Sequence, residues 1–108
     1  MQKQLIIDEA QLDECRAITE AVLFASDSPL SLKELSRIMD DIGEEMVERC
    51  IDELNDRYDK GGHGFEIRLV ANGYQFSSRA IYAKWIRHLY RGRIPSRLTQ
   101  AAMECLAI

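Results

Sequence analysis

Three features of other protein classes are missing from this sequence: a long apolar run, a paired set of cysteines and a cluster of histidines. No stretch approaches the ~20 apolar residues that a membrane-spanning helix needs. Residues 1–13 carry acids and no apolar run of the signal-peptide kind. These absences predict a cytoplasmic protein without membrane contact. The three cysteines lie far apart, and we expect each to be a buried free thiol: Cys15, Cys50 and Cys105.

Residues for catalysis or metal binding are also scarce. Only two histidines occur, His63 in a glycine-rich turn and His88 in a predicted helix, and neither has a second ligand at metal-binding spacing. The stretch "GGHG" lacks the lysine and the serine or threonine of a phosphate-binding loop, and it precedes a strand instead of following one. We therefore expect no enzymatic activity, no metal and no cofactor.

Charge is divided unevenly along the 108 residues, although the net charge is only −4. Residues 1–60 contain 7 basic and 16 acidic side chains, whereas residues 61–108 contain 7 basic and 2 acidic ones. The first part should repel nucleic acid, and the second could tolerate it.

Three helices are predicted in the acidic part. The first runs from near Asp8 to Ala25 and the second begins at Ser31, and a capping-box pattern marks both starts. The third spans about Glu44 to Tyr58 and ends at "KGGHG". Apolar residues at helical spacing predict the buried stripes: Leu12, Cys15, Ile18, Val22, Leu23 and Ala25 in the first helix, Leu32, Leu35, Ile38 and Met39 in the second, and Val47, Cys50, Ile51, Leu54 and Tyr58 in the third.

A β-hairpin is predicted from "FEIRLVANGYQFSS", in which apolar and charged residues alternate with strand period. Asn72-Gly73 is a strong signal for a two-residue type I′ turn. That turn would set Ala71 opposite Tyr74 and Glu66 opposite Arg79. One hairpin face is then apolar and should cover the helical core: Phe65, Ile67, Leu69, Tyr74 and Phe76.

A fourth helix is predicted from Arg79 or Ala80 to Tyr90, with apolar side chains around more than half of its circumference. Three core helices, a hairpin wing and this closing helix predict a mainly α fold with a β-hairpin (α+β), a winged helix-turn-helix, over residues 1–92. Residues 93–98 are predicted to be a basic linker. Residues 99–108 open a helix without a C-cap, which predicts the truncated first helix of a second winged-helix domain.

The third helix occupies the position of a DNA-recognition helix, but its charge is wrong for that use. From Glu44 to Lys60 it carries seven acids and three bases, which reverses the favourable release of counterions from DNA. Direct DNA binding is therefore expected to be weak or absent. A DNA-binding regulator or nucleoid factor stays the alternative, because the later part of the chain holds scattered basic residues: Arg68, Arg79, Lys84, Arg87, Arg91, Arg93 and Arg97.

Protein association explains the fourth helix better, since a surface helix needs only one apolar stripe for its own core. The apolar residues of the predicted fourth helix include tryptophan and tyrosine, which are residue types that anchor interfaces. Alternatively, the apolar residues of the fourth helix beyond this one stripe could pack beneath a following domain. The start of the first helix is a second candidate interface. The predicted interface residues are Tyr82, Trp85, Ile86 and Leu89.

The ordered series of motifs is more specific than any one of them. In chain order these are "ITEAVLFASDSPLSLKEL", "IDELNDRY", "GFEIRLVANGYQFSSR", "YAKWIRHL" and "PSRLTQAAMECLAI". Over all but the first ten or so residues, the series resembles the segregation and condensation protein B (ScpB) family, beginning with its N-terminal winged-helix domain.

The resemblance implies a non-enzymatic accessory subunit of the bacterial SMC–kleisin condensin, in which ATP hydrolysis belongs to the SMC heads. It implies two tandem winged-helix domains and a homodimer formed largely through the N-terminal ones. It further implies that the dimer binds the kleisin ScpA and, through it, SMC, so that the protein acts at the nucleoid in chromosome condensation and segregation. No catalytic residue is carried over by the resemblance.

Overall fold

Helices and one hairpin succeed one another in residues 8–91, which are the residues described by the computed structural model. Their order is that of the predicted α+β winged helix. The bounds are α1 Glu9–Ala25, α2 Leu32–Ile38, α3 Glu44–Lys60, β1 Phe65–Val70, β2 Gly73–Ser78, a 3-10 turn Ala80–Tyr82 and α4 Ala83–Tyr90.

Both predicted capping boxes form at the helix starts. The Asp8 carboxylate accepts a hydrogen bond from the Gln11 backbone N–H at 2.8 Å, and the Gln11 side chain accepts one from the Asp8 N–H at 3.0 Å. Ser31 and Glu34 make the same reciprocal pair at 3.1 and 2.9 Å. Each box satisfies N–H groups that a helix start otherwise leaves without partners, which fixes where α1 and α2 begin.

The core is built around α3, whose buried face is the predicted one. Its five apolar residues are all buried, and α1 and α2 pack against them. The members of this face are Val47, Cys50, Ile51, Leu54 and Tyr58. The helix runs two residues beyond the predicted end at Tyr58, to Lys60, where Gly61 caps it.

The predicted buried stripe of α1 is only partly wrong, because Leu12 and Leu23 are buried as predicted and Cys15 and Val22 are partly buried against the core. The buried residues are Leu12, Arg16, Thr19 and Leu23, whereas Ile18 and Ala25 are exposed. Two polar residues occupy this face because most of their polar atoms find partners, Arg16 Nε being the buried exception. Thr19 Oγ1 donates to the Cys15 carbonyl at 2.8 Å, and Arg16 Nη1 donates to Glu53 Oε1 on α3 at 2.6 Å.

The α2 prediction also needs a correction at Ile38, which is exposed, and at Leu32, which is only half-buried. Leu35 and Met39 are buried as predicted. The helix has only seven residues and buries a single side. Ile38 lies on the opposite, exposed side, and after the helix Asp40 and Asp41 take positive φ angles of 59° and 57° in the turn that follows.

The hairpin forms with a different register from the predicted one. Val70 pairs with Gly73 and Leu69 with Tyr74, so the turn residues are Ala71 and Asn72. These two have the positive φ angles of 50° and 67° that a type I′ turn needs. The shift of two residues leaves the same side chains on the same face.

Close packing at Gly73 explains the shift of the turn. A Cβ at this position would lie 2.8 Å from Pro29 Cβ and 3.0 Å from the Leu30 nitrogen. Position 73 in β2 therefore needs glycine, because Pro29 and Leu30 pass close to it. The two turn positions are occupied by Ala71 and Asn72 instead of Asn72 and Gly73. Glu66 pairs with Ser77 in the register, yet its carboxylate still reaches Arg79 Nη1 at 3.5 Å.

Only part of the predicted apolar hairpin face covers the core. Ile67 is buried and Tyr74 and Phe76 are half-buried against the core, whereas Phe65 and Leu69 are exposed. Leu69 lies beside the turn, and Phe65, at the start of β1, packs on the Tyr58 ring but leaves 40% of its surface exposed. The prediction was wrong for these two residues.

The fourth helix begins later than predicted, because a 3-10 turn takes up residues 80–82 and Arg79 lies outside it. In α4 only Ala83 is buried. No helix within residues 8–91 is long and apolar enough to cross a bilayer. The linker and truncated helix predicted over residues 93–108, with Cys105, lie outside the described residues.

Candidate protein-interaction surfaces

The predicted interface residues of α4 lie mainly at the surface. Trp85 is 60% exposed, Tyr82 and Leu89 are exposed, and Ile86 is half-buried. Ile81, which precedes the helix, is exposed to 76%. The structure therefore brings four large apolar side chains and Ile86 onto one short segment, and that segment does not use its most exposed stripe for the core of this domain.

The N-terminal end of α4 packs against the rest of the domain, whereas its outer side is exposed to solvent. Ala83 is buried, and the Tyr82 ring faces Gly64, with ring atoms 3.9 Å from where a glycine Cβ would stand. Outward along the helix, the Trp85 ring meets the His88 ring edge-on at a centroid distance of 5.6 Å. Lys84 Nζ lies 5.0 Å from the Trp85 centroid. The result is an apolar surface with the Lys84 ammonium at its edge.

The start of α1, the second candidate interface, carries an ion network instead of an apolar surface. Arg16 contacts Asp13 and Glu53, and Arg49 Nε donates to the other Glu53 oxygen at 2.9 Å. Hydrogen bonds from Arg49 and Arg16 lower the pKa of Glu53. The network joins α1 to α3, and sequence periodicity missed it because Arg16 lies on the buried face.

The outer face of α3 is acidic, as the sequence predicted. Glu44, Glu45, Glu48 and Asp52 are all exposed. Burial raises the pKa of Tyr74 on β2, and the nearby charges of Glu48 and Asp52 raise it further. Two of the three α3 bases are engaged by acids on the same helix: Arg49 by Glu53, and Lys60 by Asp56 at 2.9 Å.

The basic residues do not form a surface that compensates for this. Arg79 is held by Asp59 Oδ1 at 2.7 Å, by Glu66, and by the His63 carbonyl at 2.8 Å, so it ties the end of α3 to the hairpin. Exposed bases lie on and just after α4. Arg93 and Arg97 lie outside the described residues. Among the predicted basic residues that the structure describes, those exposed are Lys84, Arg87 and Arg91.

A groove between α1 and the hairpin was missed by the sequence analysis. It has a volume of about 450 Å³, and its lining is apolar except for one carboxylate: Ala17, Glu20, Ala21, Phe24, Phe65 and Phe76. The signal was present, because residues 17, 21 and 24 recur at helical spacing. They lie beside the core face of α1, outside the single stripe that was predicted to be buried.

Aromatic rings form the floor of this groove. The Phe65 centroid lies 4.9 Å from that of Tyr58 and 5.7 Å from that of Phe76. The buried Tyr58 hydroxyl donates a hydrogen bond to the Glu20 carboxylate. Burial of the ring, followed by this bond and the Glu20 charge, raises the pKa of Tyr58, so its hydroxyl stays protonated and donating.

The residues considered for chemistry are used in packing. His63 lies against Tyr58 and Phe65, and His88 lies against Trp85. Cys50 is buried and Cys15 is half-buried, and both are free thiols; burial raises the pKa of each. Across residues 8–91, no group of three or more His, Cys, Asp or Glu side chains is arranged to hold a metal ion.

A helical core, a hairpin wing and a recognition helix with an acidic outer face define a winged-helix domain whose DNA-reading surface has the wrong charge for DNA. Apolar side chains are exposed on α4 and in the groove instead. The chain belongs to the family described as "Segregation and condensation complex subunit ScpB", whose family model matches residues 17–108.

Individual relatives agree with the family match. Segregation and condensation protein B of Syntrophotalea carbinolica is 40% identical over 95 residues, which is 88% of this chain and 47% of that protein. The protein from Alkaliphilus oremlandii is 34% identical over 89% of this chain and 51% of its own length. The chain thus spans about half the length of the curated relatives it matches.

Solved structures share the fold. A conserved hypothetical protein from Chlorobium tepidum superposes with a TM-score of 0.70 at 30% identity, covering 76% of this chain and 51% of that one. ScpB from Mycobacterium tuberculosis superposes with a TM-score of 0.69 at 23% identity, covering 93% and 60%. A third, "dimer of ScpB N-terminal domain complexed with ScpA peptide", has a TM-score of 0.65 at 24% identity, covering 73% and 98%.

Proposed function

We propose that this chain is the N-terminal winged-helix domain of a non-enzymatic accessory subunit of the bacterial SMC–kleisin condensin. In this role it forms a homodimer, binds the kleisin ScpA and acts in chromosome condensation and segregation. It reaches the nucleoid through the SMC complex. Family membership supports the assignment, as does the solved neighbour described as an N-terminal-domain dimer with a ScpA peptide, of which this chain covers 98%.

The structural observation that carries the proposal is the acidic outer face of α3. A winged helix that binds DNA presents this helix to negatively charged phosphates. Here Glu44, Glu45, Glu48 and Asp52 are exposed on it, so that phosphate contact would be repulsive. The same fold can instead offer its surfaces to protein, and direct DNA binding by this domain is weak or absent.

The dimer contact that we propose is the apolar surface of α4. Tryptophan, tyrosine and arginine are enriched among the residues that contribute most of the binding energy in protein interfaces, and Trp85 is 60% exposed here. The contact residues are Tyr82, Trp85, Ile86 and Leu89. A following domain that covers part of this surface is the competing use.

Light scattering on a sizing column tests the proposal, using this chain alone and with purified ScpA from the same organism. We expect the mass of two chains, rising when ScpA is added. A single-chain mass that ScpA leaves unchanged would contradict the proposal. It would favour the alternative of a DNA-binding protein, which a titration with duplex DNA tests.

A further inference from the structure

The groove between α1 and the hairpin has the size and composition of a site for a small organic molecule. Its volume of about 450 Å³ falls within the range of roughly 300–1,000 Å³ that is typical of ligand sites, which are mostly apolar with a few placed polar groups. Six residues line it, whereas a stable protein–protein interface uses roughly 20–30 residues from each side. None of the six belongs to α4, so the groove is separate from the proposed dimer contact.

Three phenylalanine rings line the groove. Phe65 and Phe76 stand nearly at right angles, with an interplanar angle of 80° and centroids 5.7 Å apart, and they form an aromatic corner on the hairpin side. Phe24 lines the groove from α1 and is 83% exposed. The face of each ring carries a partial negative charge, so that a corner of rings attracts a cation that enters it.

Glu20 adds a full negative charge to these rings. Among the residues that line the groove, all of them in the described part of the chain, only Glu20 is charged. The hydroxyl of buried Tyr58 donates to one of its two carboxylate oxygens, and the Tyr58 ring meets Phe65 edge-on at a centroid distance of 4.9 Å. The carboxylate is therefore anchored beside the aromatic corner.

This combination of rings and one carboxylate excludes most classes of ligand. An anion would be repelled by Glu20, and a neutral apolar molecule would remove water from the carboxylate without pairing it. A divalent metal ion needs about six oxygen ligands, and the lining side chains offer one carboxylate. A primary ammonium has three N–H donors, for which Glu20 is the only side-chain acceptor in the lining. A cation whose charge is covered by alkyl groups meets none of these objections.

We propose that this groove binds a quaternary ammonium ion, an organic cation in which alkyl groups surround the charged nitrogen. The nitrogen lies in the corner of Phe65 and Phe76, within about 6 Å of the ring centroids, and Glu20 balances its charge. Phe24 packs on the alkyl groups from the α1 side, which removes part of its exposed ring from water. The inference is independent of the proposed function, because neither a second copy nor ScpA takes part in it.

Titration of the full chain with choline, followed by heteronuclear NMR, tests the site. We expect saturable shifts of the backbone amides of groove residues, among them Ala21, Phe24 and Phe65. Neohexanol is the neutral isostere in which carbon replaces the charged nitrogen, and it should bind about tenfold more weakly, because the rings and Glu20 attract only the cation. Ethanolamine should also bind more weakly, because its primary ammonium would lose hydrogen bonds to water.

Two variants separate the charge from the rings. Glu20→Gln keeps an acceptor for the Tyr58 hydroxyl and removes the charge, so choline binding should weaken about fivefold or more. Phe24→Leu keeps an apolar wall and removes one ring, and should weaken choline binding about two- to fivefold while leaving neohexanol binding unchanged. Ile38→Ala is the matched control, because Ile38 is an exposed apolar residue of α2 that does not line the groove. Circular dichroism of each variant checks that the fold is kept.

The outcomes decide the inference in either direction. Weaker choline binding by Glu20→Gln than by Ile38→Ala, with amide shifts confined to the groove, supports it. Equal binding of choline and neohexanol would overturn it, since the groove would then be an apolar surface that does not recognise charge. Choline shifts that never saturate, or that map to Trp85 on α4 instead, would also overturn it. Because ScpA is present in none of these titrations, their results leave the proposed function unaffected.

Discussion

Asn55 shows how a single side chain holds the wing on the helical core. Its amide donates to the Ile67 carbonyl and accepts from the Ile67 N–H, both at 2.9 Å. These two bonds serve the outer edge of β1 as a neighbouring strand would. On the other side of the hairpin, Leu30 exchanges bonds of 2.7 and 2.9 Å with Tyr74 of β2. Both edges of the hairpin are thereby held by the helical part of the chain.

Asn55→Ala should lower the free energy of unfolding by about 1–3 kcal/mol, because it leaves the Ile67 backbone groups without their partner. Denaturant unfolding measures the effect. Asp56→Ala is the control on the same helix, where only an exposed ion pair with Lys60 is lost, and should change stability by less than about 0.5 kcal/mol. Equal effects of the two variants would mean that the amide does not hold the hairpin.

Glu53 makes part of the stability depend on acid pH. Arg49 and Arg16 lower its pKa in the folded state, so folding favours the ionised carboxylate. Its contribution is complete above the unfolded-state pKa of about 4.3 and is lost as the pH falls through the lower folded-state pKa. Unfolding curves from pH 7 to 3 should show wild type losing its advantage over Glu53→Gln below about pH 4. A difference that stays constant over that range would contradict this.

At the scale of elements, the connection between α1 and α2 places the wing. Pro29 and Leu30 lie against Gly73, and the Leu30–Tyr74 bridge continues the hairpin into a third short strand position. The short connection therefore does more than join two helices, since it sets the register of β2.

Gly73→Ala should cost about 1–3 kcal/mol of stability, because its Cβ would lie 2.8 Å from Pro29 Cβ and force the bridge apart. Thermal unfolding is the measurement. Gly64→Ala is the matched control, since its nearest contact would be the Tyr82 ring at 3.9 Å, and it should stay within about 0.5 kcal/mol of wild type. If Gly73→Ala were as stable as this control, the close approach would not determine the register.

Trp85→Ala tests the α4 surface as an element. The side chain is exposed, so we expect circular dichroism to show unchanged helical content while self-association weakens about tenfold or more. Loss of folding would place Trp85 in the core, and unchanged self-association would place the dimer contact elsewhere.

Periodicity and capping were sufficient for the elements, and they were insufficient where a polar residue is buried or a backbone approaches closely. The α3 face and both capping boxes could be predicted because apolar spacing and cap chemistry agree there. Arg16 and Thr19 could not be placed in the core, because their burial depends on partners on other helices. The turn at Ala71-Asn72 depends on Pro29, which lies more than forty residues earlier in the chain.

For the candidate surfaces, the sequence indicated α4 correctly as a helix with exposed apolar residues. It did not indicate the groove, because Phe65 and Phe76 reach Phe24 only after the hairpin folds onto α1. When a surface is formed by two elements that are distant in sequence, each element carries only part of the apolar residues that line it.

At the scale of the whole molecule, the uneven charge determines which partners are possible. The acids cluster in the part that forms α1 to α3, where a winged helix would meet DNA, and the exposed bases of the described chain include those along α4. Binding that depends on apolar contacts with one ion pair should respond little to salt. Binding to DNA phosphates would instead fall steeply with salt.

The most direct test of the central claim, that this winged helix binds protein and not DNA, is one titration series at two salt concentrations. The chain is titrated with ScpA and, separately, with duplex DNA at about 50 and 200 mM salt. We predict that it binds ScpA at both, with affinities that differ by no more than a few-fold, and binds the duplex weakly at either. Tight duplex binding that falls roughly a thousandfold between the two concentrations, without binding to ScpA, would contradict the account.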